Sequence, residues 1–329
     1  MFDIDFVVLW VDGADKAWID EYNKYVSADK KIDVSKIRYR DNGLLKFWFR
    51  CIEKNAPWVR KVHFVTCGQK PGWLNENCKK LNLVSHSDFL PADCIPTFSS
   101  RAIETSVHLI PNLADHFVFF NDDFYLVNKI KPDYFFTKDG VVKDCAVLYP
   151  ITPGVYGHTL MCNTTVARSV VDITSAIQNN KSKWLNLKYG KLFFRNLLFC
   201  KWKKSMGLRM SHYGHPYTKK MFYDAWEQLP KELAETRHNR FRSQDTVNLS
   251  LIREINILRG NFAPSNIYKY NKFHDLSDNL ESICKDIFSN KYRQVVINDQ
   301  DVSDFESRTE KIRKAFEKKF SEKSEFEKI

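Results

Sequence analysis

Two apolar runs, each halted by aspartate, constrain this 329-residue chain more than any other feature. Residues 4–11 (Ile-Asp-Phe-Val-Val-Leu-Trp-Val) run into Asp12-Gly13, and Phe117-Val118-Phe119-Phe120 runs into Asn121-Asp122-Asp123. A strand with one wet face alternates polar and apolar residues, so nearly continuous β-branched and aromatic runs read as strands covered on both faces. Val62–Thr66 is a third such run, closed by Gly68 and the Pro71-Gly72 turn. Helical spacing intervenes from about Lys16 to Val26, from Leu44 to Ile52 and from Arg101 to Leu109. This alternation predicts an α/β fold, Rossmann-like, with a mostly parallel sheet, helices on both faces and a helical C-terminal half. In such sheets ligands collect outside the carboxyl ends of the strands, where Asp12, Asp122 and Asp123 stand.

Composition narrows the class. With 43% hydrophobic and 14% aromatic residues the chain can bury a core without staples, which excludes disorder as its main state. Its eight cysteines form no CxxC or zinc-knuckle spacing and read as reduced thiols. The acidic N-terminus lacks the pattern of a signal peptide, and no apolar run reaches the roughly 20 residues of a membrane span, so the expected location is the cytoplasm. A net charge of +11 favours anionic partners without choosing among them.

Several residue groups have the means for chemistry. Asp122 and Asp123 end a strand where hard oxygen donors can take Mg²⁺ or Mn²⁺, although paired aspartates also cap turns. Ser99 and Ser100 are candidate caps of a helix whose first turns would carry Glu104. Arg38 and Arg40, two apart, would share a face if extended and could bind phosphate, or form a solvated charge pair. His212 and His215 offer a base of near-neutral pKa, with Arg242 downstream to hold phosphoryl oxygens. No P-loop, kinase set, Gly-x-Ser-x-Gly elbow or HExxH is present. Residues 181–204 interleave Lys and Arg with Trp, Phe and Leu, which suits an interfacial segment on anionic lipid, a core helix with a basic outer face, or a base-stacking surface. Ser303 and Glu306 read as a capping box for a C-terminal amphipathic helix with Phe305, Ile312, Phe316 and Phe320 on one stripe.

In order, these pieces resemble the Stealth family, which includes bacterial capsular and exopolysaccharide phosphotransferases and an animal N-acetylglucosamine-1-phosphotransferase. The resemblance rests on residues 5–13, on Arg38-Tyr39-Arg40-Asp41-Asn42 through Pro96-Thr97-Phe98-Ser99-Ser100 to Asn121-Asp122-Asp123, on His212 through Asp245, and on Val296-Ile297-Asn298-Asp299. It implies one domain over 1–329: a nucleotide-sugar-binding part at 1–150, a basic aromatic insertion at 165–210 and a helical part at 211–329 that completes the site. It implies transfer of a hexose or N-acetylhexosamine 1-phosphate from a UDP-sugar to a hydroxyl of a glycan or lipid-linked oligosaccharide, with release of UMP. Glu104, Asp123, His212 and Arg242 match the family's catalytic positions, with His215 beside them. Asp122, Asp123 and Asp299 would hold Mg²⁺ or Mn²⁺, while Trp10, Asp12, Gly13, Arg38, Arg40 and Asn121 would line the nucleotide pocket. Arg101 stands where the animal members carry proline. The expected partners are the donor, the glycan and, peripherally, an anionic membrane, with no nucleic acid. The rival readings are a metal-dependent glycosyltransferase that releases UDP and a basic membrane- or nucleic-acid-binding module.

Overall fold

A computed structural model describes residues 2–26, 32–33 and 39–328. The elements that position the site are β1 (Ile4–Leu9), α1 (Lys16–Tyr25), α2 (Leu45–Asn55), β2 (Val62–Thr66), β3 (Leu81–Ser85), α3 (Ser100–Glu104), β4 (His116–Asn121) and β5 (Phe124–Leu126). They continue with α4 (Val155–Val170), α5 (Lys191–Phe199), β6 (His215–Thr218), α6 (Ser250–Leu258), β7 (Asn271–Asp275), α7 (Leu280–Phe288), β8 (Gln294–Asn298) and α8 (Phe305–Lys319).

The main sheet has the order β6-β4-β1-β2-β3, parallel except for β6, which pairs antiparallel with β4 at one edge. The chain leaves β1 toward β2 and β3 on one side, and β4 lies on the other. That reversal puts a topological switch point between the ends of β1 and β4, where Leu9 is in register with Asn121. A second sheet, β7-β8-β5, starts from the short turn after β4, so Asp122 and Asp123 occupy the bend between the two sheets.

Burial explains why the runs are continuous. Phe6, Val7, Val8, Phe117, Val118 and Phe120 are all fully buried. From α2, Trp48 meets Phe120 edge-on at 5.7 Å and Phe49 meets Phe64 at 5.5 Å. Each large apolar side chain so buried contributes about 1.5–3 kcal/mol. The C-terminal helix closes the same core, with Phe316 of α8 stacked on Phe47 at 5.6 Å and tilted on Tyr125 at 4.6 Å.

Two local expectations change. The helix expected over Arg101–Leu109 stops at Glu104 and resumes only as a 3-10 turn over Val107–Leu109. The Thr105 hydroxyl donates back to the Arg101 carbonyl at 2.8 Å and competes with helix continuation. Glu104 is therefore the last residue of α3, and Ser99 flanks that helix without a side-chain capping bond. The Ser303–Glu306 box does not form either, because α8 starts at Phe305 behind Asp304, whose carboxylate accepts from Arg308 instead. The eight cysteines are all free thiols.

Candidate active site

Pairing of the two sheets gathers the acidic side chains. β8 runs antiparallel to β5, and the Ile297 amide donates to the Asp123 carbonyl at 3.1 Å, so Asn298 and Asp299 leave β8 beside the Asp122–Asp123 bend. A cleft of about 540 Å³ opens there. Trp10, Arg40, Glu104, Asn121, Asp122, Asp123, His212, Arg242 and Asp299 all line it.

The cleft concentrates negative charge. Burial, then the neighbouring carboxylates of Asp123, Asp41 and Asp299, push the Asp122 carboxyl up to about 8. Arg40 answers part of that charge. Its Nε and Nη2 reach Asp299 at 2.9 and 2.6 Å, Nη2 also reaches the Gln300 carbonyl at 3.0 Å, and the guanidinium lies 3.6 Å over the Phe305 ring. Arg40 and Asp299, expected in separate roles, are thus partners in a fork of the kind that fixes both geometries. The remaining excess of hard oxygen donors on Asp122 and Asp123 suits Mg²⁺ or Mn²⁺, which take one or two carboxylates and complete their shell with phosphate and water. The three aspartates do not close into a cage: among the described residues, the trio whose ligand atoms fall within 4.8 Å of one another is Asp93, Cys94 and His238, the cysteine buried and the other two exposed.

Beside the acids, His212 Nε2 lies 3.5 Å from Asp123 Oδ2, and its ring rests edge-on against Phe124 (4.7 Å) and Phe273 (5.6 Å). The imidazole is half exposed, so a group entering the cleft can reach it. Arg242 Nη2 donates to Ser100 Oγ at 2.5 Å, which ties its segment to the start of α3. Arg101 reinforces that tie from within α3, since its Nη1 donates to the carbonyls of Ser243 (2.9 Å) and Thr246 (2.6 Å).

Not every expected residue reaches the cleft. His215 points into the interior, where its Nε2 meets Asp144 Oδ2 at 3.0 Å and its Nδ1 meets Ser211 Oγ at 3.3 Å. Burial alone would raise the Asp144 carboxyl, but Arg253, at 2.7 Å, and His215 outweigh it and hold it at about 2. His215 is itself depressed by burial. It therefore belongs to a buried charge network and not to the reacting surface. Asp12 caps its own turn by accepting from the Ala14 amide at 2.9 Å. Gly13 permits close backbone approach, because a Cβ there would fall 2.4 Å from the Tyr39 carbonyl oxygen. Arg38 lies outside the described residues.

An aromatic wall and a histidine in the lining carry no signal along the chain. Trp18 packs at 4.9 Å from Tyr39 and 5.5 Å from Phe98, and all three line the cleft. Nothing in the helical spacing of α1 separates Trp18 from an ordinary core residue. His86, also in the lining, is pushed down to about 4 by burial, so it is neutral at physiological pH.

The chain matches a known family, and known proteins over its whole length. The models for Stealth protein conserved regions 1, 2 and 3 match residues 2–29, 38–144 and 211–255. The chain is 34% identical over 337 residues to the exopolysaccharide phosphotransferase cps2G of Lactiplantibacillus plantarum, covering 99% of this chain and 97% of that protein. It is 34% identical to the capsular polysaccharide phosphotransferase WcwK of Streptococcus pneumoniae (100% and 99% covered) and 36% identical to the receptor polysaccharide phosphotransferase WefC of Streptococcus gordonii (98% of each).

Proposed function

Because the chain belongs to the Stealth protein family, we propose that it transfers a sugar 1-phosphate from a UDP-sugar to a hydroxyl of a glycan during capsular or exopolysaccharide synthesis, releasing UMP. The observation that carries this reading is the convergence of Asp122, Asp123, Glu104, His212 and Arg242 on one cleft at the sheet's switch point.

In the proposed reaction an acceptor oxygen forms a bond to the β-phosphorus, and the bond from that phosphorus to the bridging oxygen breaks. The bridging oxygen leaves with UMP. Such transfers rely on positioning and charge stabilisation more than on covalent chemistry. His212 takes the acceptor proton, and Asp123, 3.5 Å away, stabilises the imidazolium that results. Arg242, anchored by Ser100, holds the developing charge on the phosphoryl oxygens. Glu104, at the end of α3, faces the same space and orients the sugar. The rings of Trp18, Tyr39 and Phe98, inclined to one another, supply apolar contact for a base, with the Trp18 face as the stacking surface. Asp122 and Asp123 would hold Mg²⁺ or Mn²⁺, which when bound supplies neutralising charge to the diphosphate.

Chromatography of the nucleotide products tests the proposal. UMP formed in step with acceptor consumption, abolished by a chelator and restored by Mg²⁺, supports it, whereas UDP as the product nucleotide would replace it with glycosyl transfer.

A further inference from the structure

Residues 181–204 present two faces of opposite character. Inward, Asn196 of α5 is fully buried and satisfies backbone groups on two neighbouring segments: its amide donates to the carbonyls of Ala146 (2.5 Å) and Trp184 (2.9 Å), and its carbonyl oxygen accepts from Leu148 at 3.0 Å. Trp184 and Tyr189 are buried beside it. Outward, Phe194, Leu197 and Leu198 form an i, i+3, i+4 stripe exposed by 70%, 51% and 57%. Leu187 before the helix and Trp202 after it are exposed by 81% and 54%. A helix that buries an asparagine and leaves Phe and two Leu in water reverses the usual partition of a surface helix.

The surrounding charge is of one sign. Lys181, Lys188, Lys191, Lys201 and Lys204 are all exposed around this stripe. From residue 173 to residue 223 the sequence carries eleven Lys or Arg and no Asp or Glu. A second copy of this chain would set like charge against like, while an anionic bilayer offers opposite charge and an apolar layer together. Among the described residues no helix is long and apolar enough to cross a membrane, so contact through this face is peripheral.

We infer that the face formed by Leu187, Phe194, Leu197, Leu198 and Trp202 docks on an anionic lipid bilayer. The docked face communicates with the cleft through few side chains. Arg195 of α5 lies 4.7 Å over Tyr149, and Tyr149 meets Tyr156, in the first turn of α4, at 5.9 Å. His158 and Cys162 of α4 then reach Asp245 (4.0 Å) and the Gln244 carbonyl (3.4 Å), just beyond Arg242. Docking thereby bears on the segment that carries Arg242. The docking itself does not rest on the transferase reading, and its test needs no turnover.

Flotation of the full chain with vesicles of phosphatidylcholine alone or mixed with phosphatidylglycerol reads the interaction. The protein is expected to float with the anionic vesicles and to release in high salt. The triple variant Phe194→Ser, Leu198→Ser, Trp202→Ser is expected to lose binding at any salt. The variant Lys201→Glu, Lys203→Glu, Lys204→Glu is expected to lose about a hundredfold or more in partition, at a factor of about five for each charge removed. Thermal melting checks that both variants fold, and the single Phe194→Ser variant stands in, with a smaller loss, if the triple does not. Absence of flotation at low salt, or undiminished flotation of both folded variants, would overturn the inference. So would a serine variant that only dissociates a lipid-free oligomer, since the face would then serve a second copy.

Discussion

His212 Nε2 and Asp123 Oδ2 stand 3.5 Å apart because the strand after one runs back along the strand before the other. β6 pairs antiparallel with β4, so the residues just before β6 meet those just after β4. That topology makes the pair a feature of the fold, and it gives the first prediction. His212→Ala and Asp123→Asn should each lower kcat by about 10²–10⁴-fold, the usual worth of a positioned acid or base. Both side chains are partly exposed, so melting temperature should stay within a few degrees of the parent. Turnover within tenfold of the parent in either variant would remove the pair from the mechanism.

Trp18 gives a binding prediction. Stacking of a base on an aromatic is worth about 1–3 kcal/mol, so Trp18→Ala should raise KM for the donor by roughly tenfold while kcat changes little. Steady-state kinetics with a saturating acceptor separates the two effects, and a fall in kcat alone would place the residue elsewhere in the cycle.

His215 tests the correction to the sequence reading. It shares Asp144 with Arg253 in the interior. Removing one member of a buried ion-paired network strands the others, at a cost of about 3–5 kcal/mol for a full charge. His215→Ala should therefore lower the melting temperature markedly, and the pH–rate profile of the surviving folded enzyme should keep its shape. Loss of one limb of that profile with unchanged stability would make His215 the base.

Glu254 sets a pH dependence of stability away from the cleft. It is buried on α6, with its Oε2 3.5 Å from Thr164 Oγ1, and burial pushes its carboxyl up to about 7 against an ordinary 4.5, with Arg168 opposing in part. The folded value lies above the unfolded one, so the folded state binds the proton more tightly. Stability from this group is full below pH 4.5 and declines as pH rises toward 7, by roughly 2–3 kcal/mol. Denaturant titrations of Glu254→Gln at pH 5.5 and 8 should lack that decline and give a more stable protein at pH 8; an identical slope in parent and variant would contradict the assignment.

The strands of the main sheet were legible because their chemistry is local. Val62–Thr66 appears with the bounds its composition indicates, and Phe117–Phe120 gains one residue at each end. The carboxylates at Asp122 and Asp123 were legible because a strand end followed by acids is a pattern along the chain. What the sequence hid is decided by tertiary partners. Whether His212 or His215 faces the cleft depends on Asp144 and Arg253, one of them far upstream and the other downstream. Arg40 and Asp299 are separated by most of the chain, so their pairing has no local signature. The inversion of α5 follows from the backbone groups near Ala146 and Trp184 that Asn196 satisfies, which a helical wheel does not contain.

The central claim is that the β-phosphorus of the donor is the atom attacked. A UDP-sugar carrying ³²P in the β-phosphate, incubated with enzyme, Mg²⁺ and glycan acceptor, distinguishes the outcomes directly. The account predicts label retained in the glycan as a phosphodiester and unlabelled UMP in solution. Labelled UDP in solution beside an unlabelled glycan would contradict it.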